Sequence, residues 1–375
     1  MKKTIRSSRP FFSDEDIDDI VSDIKIALKE GRLRNGKNLQ LFENMFNEYL
    51  DVKNGVTFDS DGNALEAALQ YYKIKNKEVI VCTNSFISIP NSVVYSGGKP
   101  VFADIEEDTL SMDPDSLLDN ISPKTKGVIV THIAGFPNPK LNIIQEICRD
   151  KKLTLIEDAT HAAGALIDNK KVGTFSESSV FAFTPTKIIT TGEGGFLATN
   201  DEKLSYYAKK LRYYGSGEGK TNFVNLGRHM LLPEISAILG VYQLKRIEEY
   251  IAKRNIIAKI YNEELSKIES LKTVKCDVNS RCSYYKYPLI LGDSINKLQF
   301  TETLDKEYGI ETGNIFYPPC HLQPVYQKMH NKNYSKNSLM VSERILSQTI
   351  TLPIHVAMTE EDTRYVVDCI KCIIR

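Results

Sequence analysis

The chain has 375 residues, 42% hydrophobic and 26% charged, a composition typical of a globular enzyme and a length that exceeds one small core. Lys+Arg and Asp+Glu both number 48, so no net field gathers nucleic acid or an anionic membrane. No apolar run reaches the ~18 residues of a membrane span, and the basic start Met1-Lys2-Lys3 leads into no apolar stretch of the secretory kind; the cytoplasm is the expected compartment.

Ser13-Asp14-Glu15 ahead of Ile17, Ile20, Val21 and Ile24 predicts a capped amphipathic helix. The polar turn from Asp59 to Asn63 leads into a second helix over 64–69. Short apolar strands then follow at 78–82, 100–104, 127–132, 153–158, 179–183 and 195–199, with helical stretches such as 141–150 between several of them. Apolar strands alternating with helices predict an α/β fold with a mostly parallel sheet, covered on both faces. From about Pro233 one long helical pattern runs to about Leu271. A strand at 284–291, a helix at 297–308 and a final helix then suggest a small α+β lobe. This divides the chain into a large domain over 1–245, N-terminal segment included, and a small C-terminal domain over 246–375.

Seven scattered cysteines argue against a disulfide framework. Cys369 and Cys372 form a C-x-x-C pair in the amphipathic terminal helix, with no second pair or nearby histidine, so no metal site is expected.

Ligands of an open α/β sheet bind beyond the carboxyl ends of its strands. Asp158 and His161 fall there, as do Lys187 and Phe86. Lys187 lies between apolar strands and before the turn Thr190-Thr191-Gly192-Glu193-Gly194-Gly195. An amine held there can lose solvation and become a nucleophile toward a carbonyl. Pyridoxal 5'-phosphate asks for these parts together: a lysine for its aldehyde, a carboxylate for its pyridine nitrogen, a flat side chain for its face, and donors for its phosphate, often at a helix N-terminus.

The order of these segments resembles the DegT/DnrJ/EryC1/StrS sugar aminotransferase family, of the fold type I pyridoxal-phosphate enzymes. The resemblance covers nearly the whole chain. It is carried by Gly31-Arg32-Leu33-Arg34-Asn35-Gly36, Gly97-Gly98-Lys99-Pro100-Val101-Phe102, Glu157-Asp158-Ala159-Thr160-His161-Ala162-Ala163-Gly164, Phe183-Thr184-Pro185-Thr186-Lys187 and Tyr317-Pro318-Pro319-Cys320-His321. It implies an aspartate-aminotransferase-like large domain with a seven-stranded sheet, a smaller C-terminal domain, and a homodimer with each site at the interface.

The resemblance also implies roles. Lys187 is the Schiff-base lysine and proton shuttle, Asp158 pairs with the pyridinium nitrogen, and Phe86 stacks on the ring. His161 stands where the family usually has Gln, near the phenolic oxygen. A retained lysine argues against the dehydratase branch, which has histidine there. The phosphate cup departs from the pattern. In place of a Ser-Gly-Thr turn stands Ser60-Asp61-Gly62-Asn63, with either Asp61-Gly62 or Gly62-Asn63 replacing Gly-Thr. Ala182 replaces a serine, and His229 an asparagine that reaches across the dimer. The expected phosphate donors are the amides of Gly62 and Asn63, with His229 from the partner. The implied reaction moves an amine from L-glutamate to a nucleotide-linked keto-deoxysugar at its 3 or 4 position. Arg32, Arg34, Lys220 and Arg228 are candidate contacts to its diphosphate, and Tyr317 and His321 to its sugar. The competing readings are a lysine-retaining dehydratase on a similar sugar and a non-catalytic homologue.

Overall fold

The computed structural model describes residues 4–217, 221–329 and 338–374. Ser13 caps α1 (Asp14–Glu30) by accepting the Asp16 N–H, and Gly31 ends it in the left-handed conformation, which glycine adopts without steric cost. The next helix, α2 (Lys37–Leu50), has no side-chain cap of its own. Glu234 supplies one from far along the chain, accepting the N–H groups of Gly36, Asn38 and Leu39. Gly36 leaves room for it, since a Cβ there would lie 2.4 Å from the Glu234 carboxyl carbon.

A seven-stranded sheet follows. In chain order come β1 (Asn54–Phe58), β2 (Glu78–Cys82), β3 (Lys99–Ala103), β4 (Thr125–Thr131) and β5 (Thr154–Asp158). After two short strands, β6 (Leu166–Ile167) and β7 (Lys170–Lys171), come β8 (Ser178–Ala182) and β9 (Gly195–Thr199). The spatial order is β1-β9-β8-β5-β4-β2-β3; β9 runs against both neighbours and the other pairs are parallel. Side chains alternate between two cores, the strand period of two. Ile80, Val128, Val130 and Leu155 pack with Ile144 and Cys148 of α6 (Leu141–Lys151). Val79, Val81, Ile129 and Ile156 pack with Leu65 and Leu69 of α3 (Asp61–Tyr71) and with Val93 of α4 (Ser88–Tyr95). Each such side chain contributes roughly 1.5–3 kcal/mol by leaving water. Burial on both faces is why these strands read as continuous apolar runs.

The long helical pattern after Pro233 is two helices, Glu234–Lys245 and Ile247–Leu265, parted at Arg246 with φ −107° and ψ 5°. No glycine or proline marks the break. Arg246 is instead tied to Asp16 and Glu15 of α1, which keeps the first helix against α1 and α2 while the second leads to the small lobe. That lobe is built on an antiparallel sheet of Leu271–Thr273, Tyr287–Leu291 and Thr349–Leu352. Ile5 bridges to Ile310, so the first described residues run beside the small lobe. One cysteine expectation is corrected: Cys276 and Cys282 form a disulfide with Cα atoms 6.1 Å apart, a local clip that scattered spacing did not announce. Among the described residues, no helix is long and apolar enough to cross a membrane.

Candidate active site

Asp158 ends β5, opposite Thr131 at the end of β4. Its carboxylate is buried and oriented by two donors, Thr131 Oγ1 to Oδ2 at 2.9 Å and the Thr160 N–H to Oδ1 at 3.1 Å. A buried carboxylate without donors would be costly, so these bonds hold its position at the sheet edge.

One turn on, His161 is also buried. The Ala134 N–H donates to Nδ1 at 3.3 Å, which puts the ring proton of the neutral form on Nε2. Among the described residues, Nε2 has no hydrogen-bond partner. Burial, reinforced by the charges of Lys187 and Lys286, holds the imidazole well below its ordinary value. The ring stacks against Tyr285, with centroids 4.5 Å apart, and against Phe316 at 5.5 Å.

Lys187 lies in the loop after β8, with Nζ 4.5 Å from the centre of the Tyr285 ring. Its charge acts on Asp61, His161, Tyr285 and Lys286, groups that arrive from three parts of the chain. Burial alone would raise the Tyr285 phenol. The cations Lys187 and Lys286, with the Thr186 hydroxyl 3.1 Å away, bring it below its ordinary value. Burial pushes the Lys286 ammonium down, and it donates to the Asn314 carbonyl at 2.8 Å. Phe86, half exposed, faces Phe316 at 5.5 Å. Aromatic rings and the amines of Lys187 and Lys286 thus surround one niche, with the carboxylates of Asp61 and Asp158 within electrostatic reach of each other.

The first turn of α3 lies beside it. Ser60 Oγ accepts the Asn63 N–H at 3.2 Å, and Asn63 Nδ2 donates to Asp59 at 2.6 Å. The Asn63 amide expected for a phosphate is therefore already engaged in the helix cap. Gly62 lies against α4, its carbonyl accepting from Ser92 Oγ at 3.1 Å. Asp61 turns its carboxylate to Ser88 Oγ at 3.0 Å.

The outlying candidates separate into groups. His229 is exposed and packs against Tyr213 and Tyr214, and Arg34 lies over the Tyr213 ring at 5.9 Å. Arg32 is exposed. Arg228 is ion-paired with Glu66 of α3, so its charge is partly spent within the chain. Lys220 lies outside the described residues. Tyr317 lies under Lys297 at 5.3 Å and lines a cleft with Pro318, Leu322 and Met340. The expectation for His321 is corrected. It is fully buried, with Nδ1 2.6 Å from Thr83 Oγ1 and Nε2 3.2 Å from Glu343 Oε1, so it joins two segments of the fold and exposes no face to a sugar.

Three residues of the niche, Tyr285, Lys286 and Phe316, have no separate signal in the sequence. Arg254 fixes their approach: its buried guanidinium donates to the carbonyls of Tyr284 and Ile354 at 3.0 and 2.8 Å. A buried arginine spent on carbonyls alone is invisible to motif reading.

The model of the DegT/DnrJ/EryC1/StrS aminotransferase family matches residues 14–371. An uncharacterized protein of Methanocaldococcus jannaschii is 33% identical over 98% of this chain and 96% of its own. The GDP-perosamine synthase of Caulobacter vibrioides is 31% identical over 87% of each chain. Among solved structures, Helicobacter pylori PseC, an aminotransferase involved in the biosynthesis of pseudoaminic acid, superposes with a TM-score of 0.91 at 28% identity over 99% of both chains. The chain belongs to the DegT/DnrJ/EryC1/StrS aminotransferase family, and is an aminotransferase of the α/β fold those enzymes share.

Proposed function

We propose that the protein moves an amino group from L-glutamate to the ketone of a nucleotide-linked 6-deoxyhexose, at its 3 or 4 position, using pyridoxal phosphate. The observation that supports this reading is electrostatic proximity: Lys187 acts on both His161 and Asp61, Asp158 acts on Asp61 too, and Nε2 of His161 has no partner among the described residues. A buried donor without a partner beside a lysine suits a cofactor that brings an oxygen acceptor of its own. When bound, pyridoxal phosphate supplies an electron sink for the carbanion next to the transferred nitrogen. Lys187 would hold the cofactor's aldehyde and would serve as the base that moves a proton at the donor's α-carbon. Asp158, fixed by Thr131 and Thr160, keeps the pyridine nitrogen protonated. His161 donates Nε2–H to the phenolic oxygen, and Phe86 covers a ring face. The Gly62 amide and the His229 of a second copy would face the phosphate, while the Asn63 N–H stays in its cap on Ser60.

The nucleotide-sugar substrate is supported by the named chemistry of the relatives. Lys286, Arg32 and Arg34 offer cations for its diphosphate, and Tyr317 an aromatic edge for its sugar. A homodimer is supported by exposed Phe223, Val224 and Leu226 just before His229, since apolar clusters of this kind mark interaction surfaces. The test is a panel of nucleotide-linked keto-sugars incubated with glutamate. The expected result is a product carrying an amine in place of the ketone and an equal yield of 2-oxoglutarate. Loss of water from the sugar without 2-oxoglutarate would establish the dehydratase reading. Failure to develop the visible band of bound cofactor in an intact dimer would establish the non-catalytic one.

A further inference from the structure

We propose, resting on the cofactor reading above, that Asp61 guards cofactor loading: the phosphate is accepted only when the Asp61 carboxyl carries a proton, so binding takes up one proton there. The first turn of a helix welcomes phosphate because its N–H groups point outward unpaired. In α3 that turn opens with an acid. The Asp61 carboxylate accepts the Ser88 hydroxyl at 3.0 Å and its own backbone N–H, so it already takes donors that an incoming anion would use.

The turn has no room to retreat. Ser60 Oγ holds the Asn63 N–H, and Ser92 Oγ holds the Gly62 carbonyl. Behind it, Gly195 of β9 approaches so closely that a Cβ there would lie 2.3 Å from the backbone of Ser60 and Asp61. A phosphate dianion seated at this turn therefore meets the carboxylate, and like charges forced together are relieved by protonating one of them.

The groups acting on Asp61 come from three other elements. Lys187, from the loop after β8, favours the anion. Asp158, from the end of β5, opposes it, and the Ser88 hydroxyl of α4 favours it. Asp59, in the same turn, is engaged by Asn63 Nδ2. Burial is the largest influence and raises the carboxyl above its ordinary value. Lys187, a cation acting on Asp61, is also the amine the cofactor aldehyde would engage. A protonated Asp61 becomes a donor, with an O–H to offer a phosphate oxygen.

The experiment titrates apo-protein with pyridoxal phosphate across about pH 6 to about pH 9, comparing wild type with Asp61→Asn and Asp61→Ser. Cofactor and Lys187 are present in all three proteins, so the difference reports on Asp61 together with its coupling to Lys187. The expected result is a wild-type Kd that rises with pH by up to about tenfold per unit more than either variant's. Calorimetry in buffers of different ionisation enthalpy should find up to one more proton taken up by wild type at alkaline pH. Equal affinities and equal proton counts overturn the guard while leaving the cofactor reading in place. Absence of pyridoxal phosphate binding in every protein overturns both. If the asparagine variant does not fold, the serine variant and the wild-type proton count decide alone.

Discussion

Tyr285 lies against His161 with ring centroids 4.5 Å apart and planes inclined by 28°, so a residue of the small lobe sets a wall of a niche built on the large sheet. Its carbonyl stretch is pinned by Arg254 and its hydroxyl meets Thr186, one residue before Lys187. Tyr285 therefore ties the histidine, the lysine loop and the small lobe together.

The ring is expected to matter more than the hydroxyl. Tyr285→Phe keeps the stack and loses one hydrogen bond, a cost of about 1 kcal/mol. Tyr285→Ala empties a buried aromatic position and should cost about 3–5 kcal/mol in denaturant unfolding. Equal losses in the two variants would show that the stack contributes nothing.

His161 gives the protein an acid-side weakness. Its folded-state value is depressed by burial first and then by Lys187 and Lys286. Below the unfolded value of about 6.5, the unfolded chain therefore binds a proton that the folded chain refuses. Stability is fully present above that pH and falls as the pH drops, by at most about 1.4 kcal/mol per unit for this group. His161→Gln should flatten the stability profile between about pH 6.5 and about pH 5 relative to wild type. His355, lowered to about 4 chiefly by burial, adds the same sign in both proteins and cancels in the comparison. Parallel profiles would mean that His161 takes its proton in the fold.

Lys187→Ala separates chemistry from folding. The side chain is only partly buried, so the melting temperature should move by no more than a few degrees, as for other such substitutions of below about 1 kcal/mol. Transamination should fall by at least the 10²–10⁴-fold typical of a lost general base, about that much or more. Formation of 2-oxoglutarate at near wild-type rate by the variant would remove Lys187 from its proposed role.

Asp158 and Lys187 are legible in the sequence for one reason: each follows an apolar run buried on both faces, and such runs announce a sheet and its carboxyl edge. Six of the seven strands are legible on the same ground; β1 (Asn54–Phe58) is not among the apolar runs the sequence announces. Tyr285 and Phe316 are not, because their segments leave regular alternation, with Tyr284 at φ 50° and Phe316 at φ 43°. A strand pattern over 284–291 says which residues are buried but not that Tyr285 turns toward His161. The break at Arg246 and the capping of α2 by Glu234 depend on partners roughly 200 residues away or more, beyond any local pattern. Asp61 is visible as a departure from the family turn, but only the structure joins it to Ser88.

His321 separates a motif's wording from its use. The segment Tyr317-Pro318-Pro319-Cys320-His321 resembles the family and suggests a sugar contact, yet the imidazole bridges Thr83, just after β2, and Glu343 in the helix Met340–Gln348. Burial lowers its proton affinity, with Glu343 opposing, so the joint is a neutral ring held at both nitrogens. His321→Ala removes the bridge between the buried Thr83 hydroxyl and the part-buried Glu343 carboxylate, and each lost buried bond costs about 1–3 kcal/mol. A loss of about 2–5 kcal/mol in denaturant unfolding is therefore expected, with KM for the keto-sugar changed less than about threefold in the folded fraction. A KM raised tenfold or more, about the effect of a lost substrate contact, with stability unchanged, would return His321 to the sugar pocket.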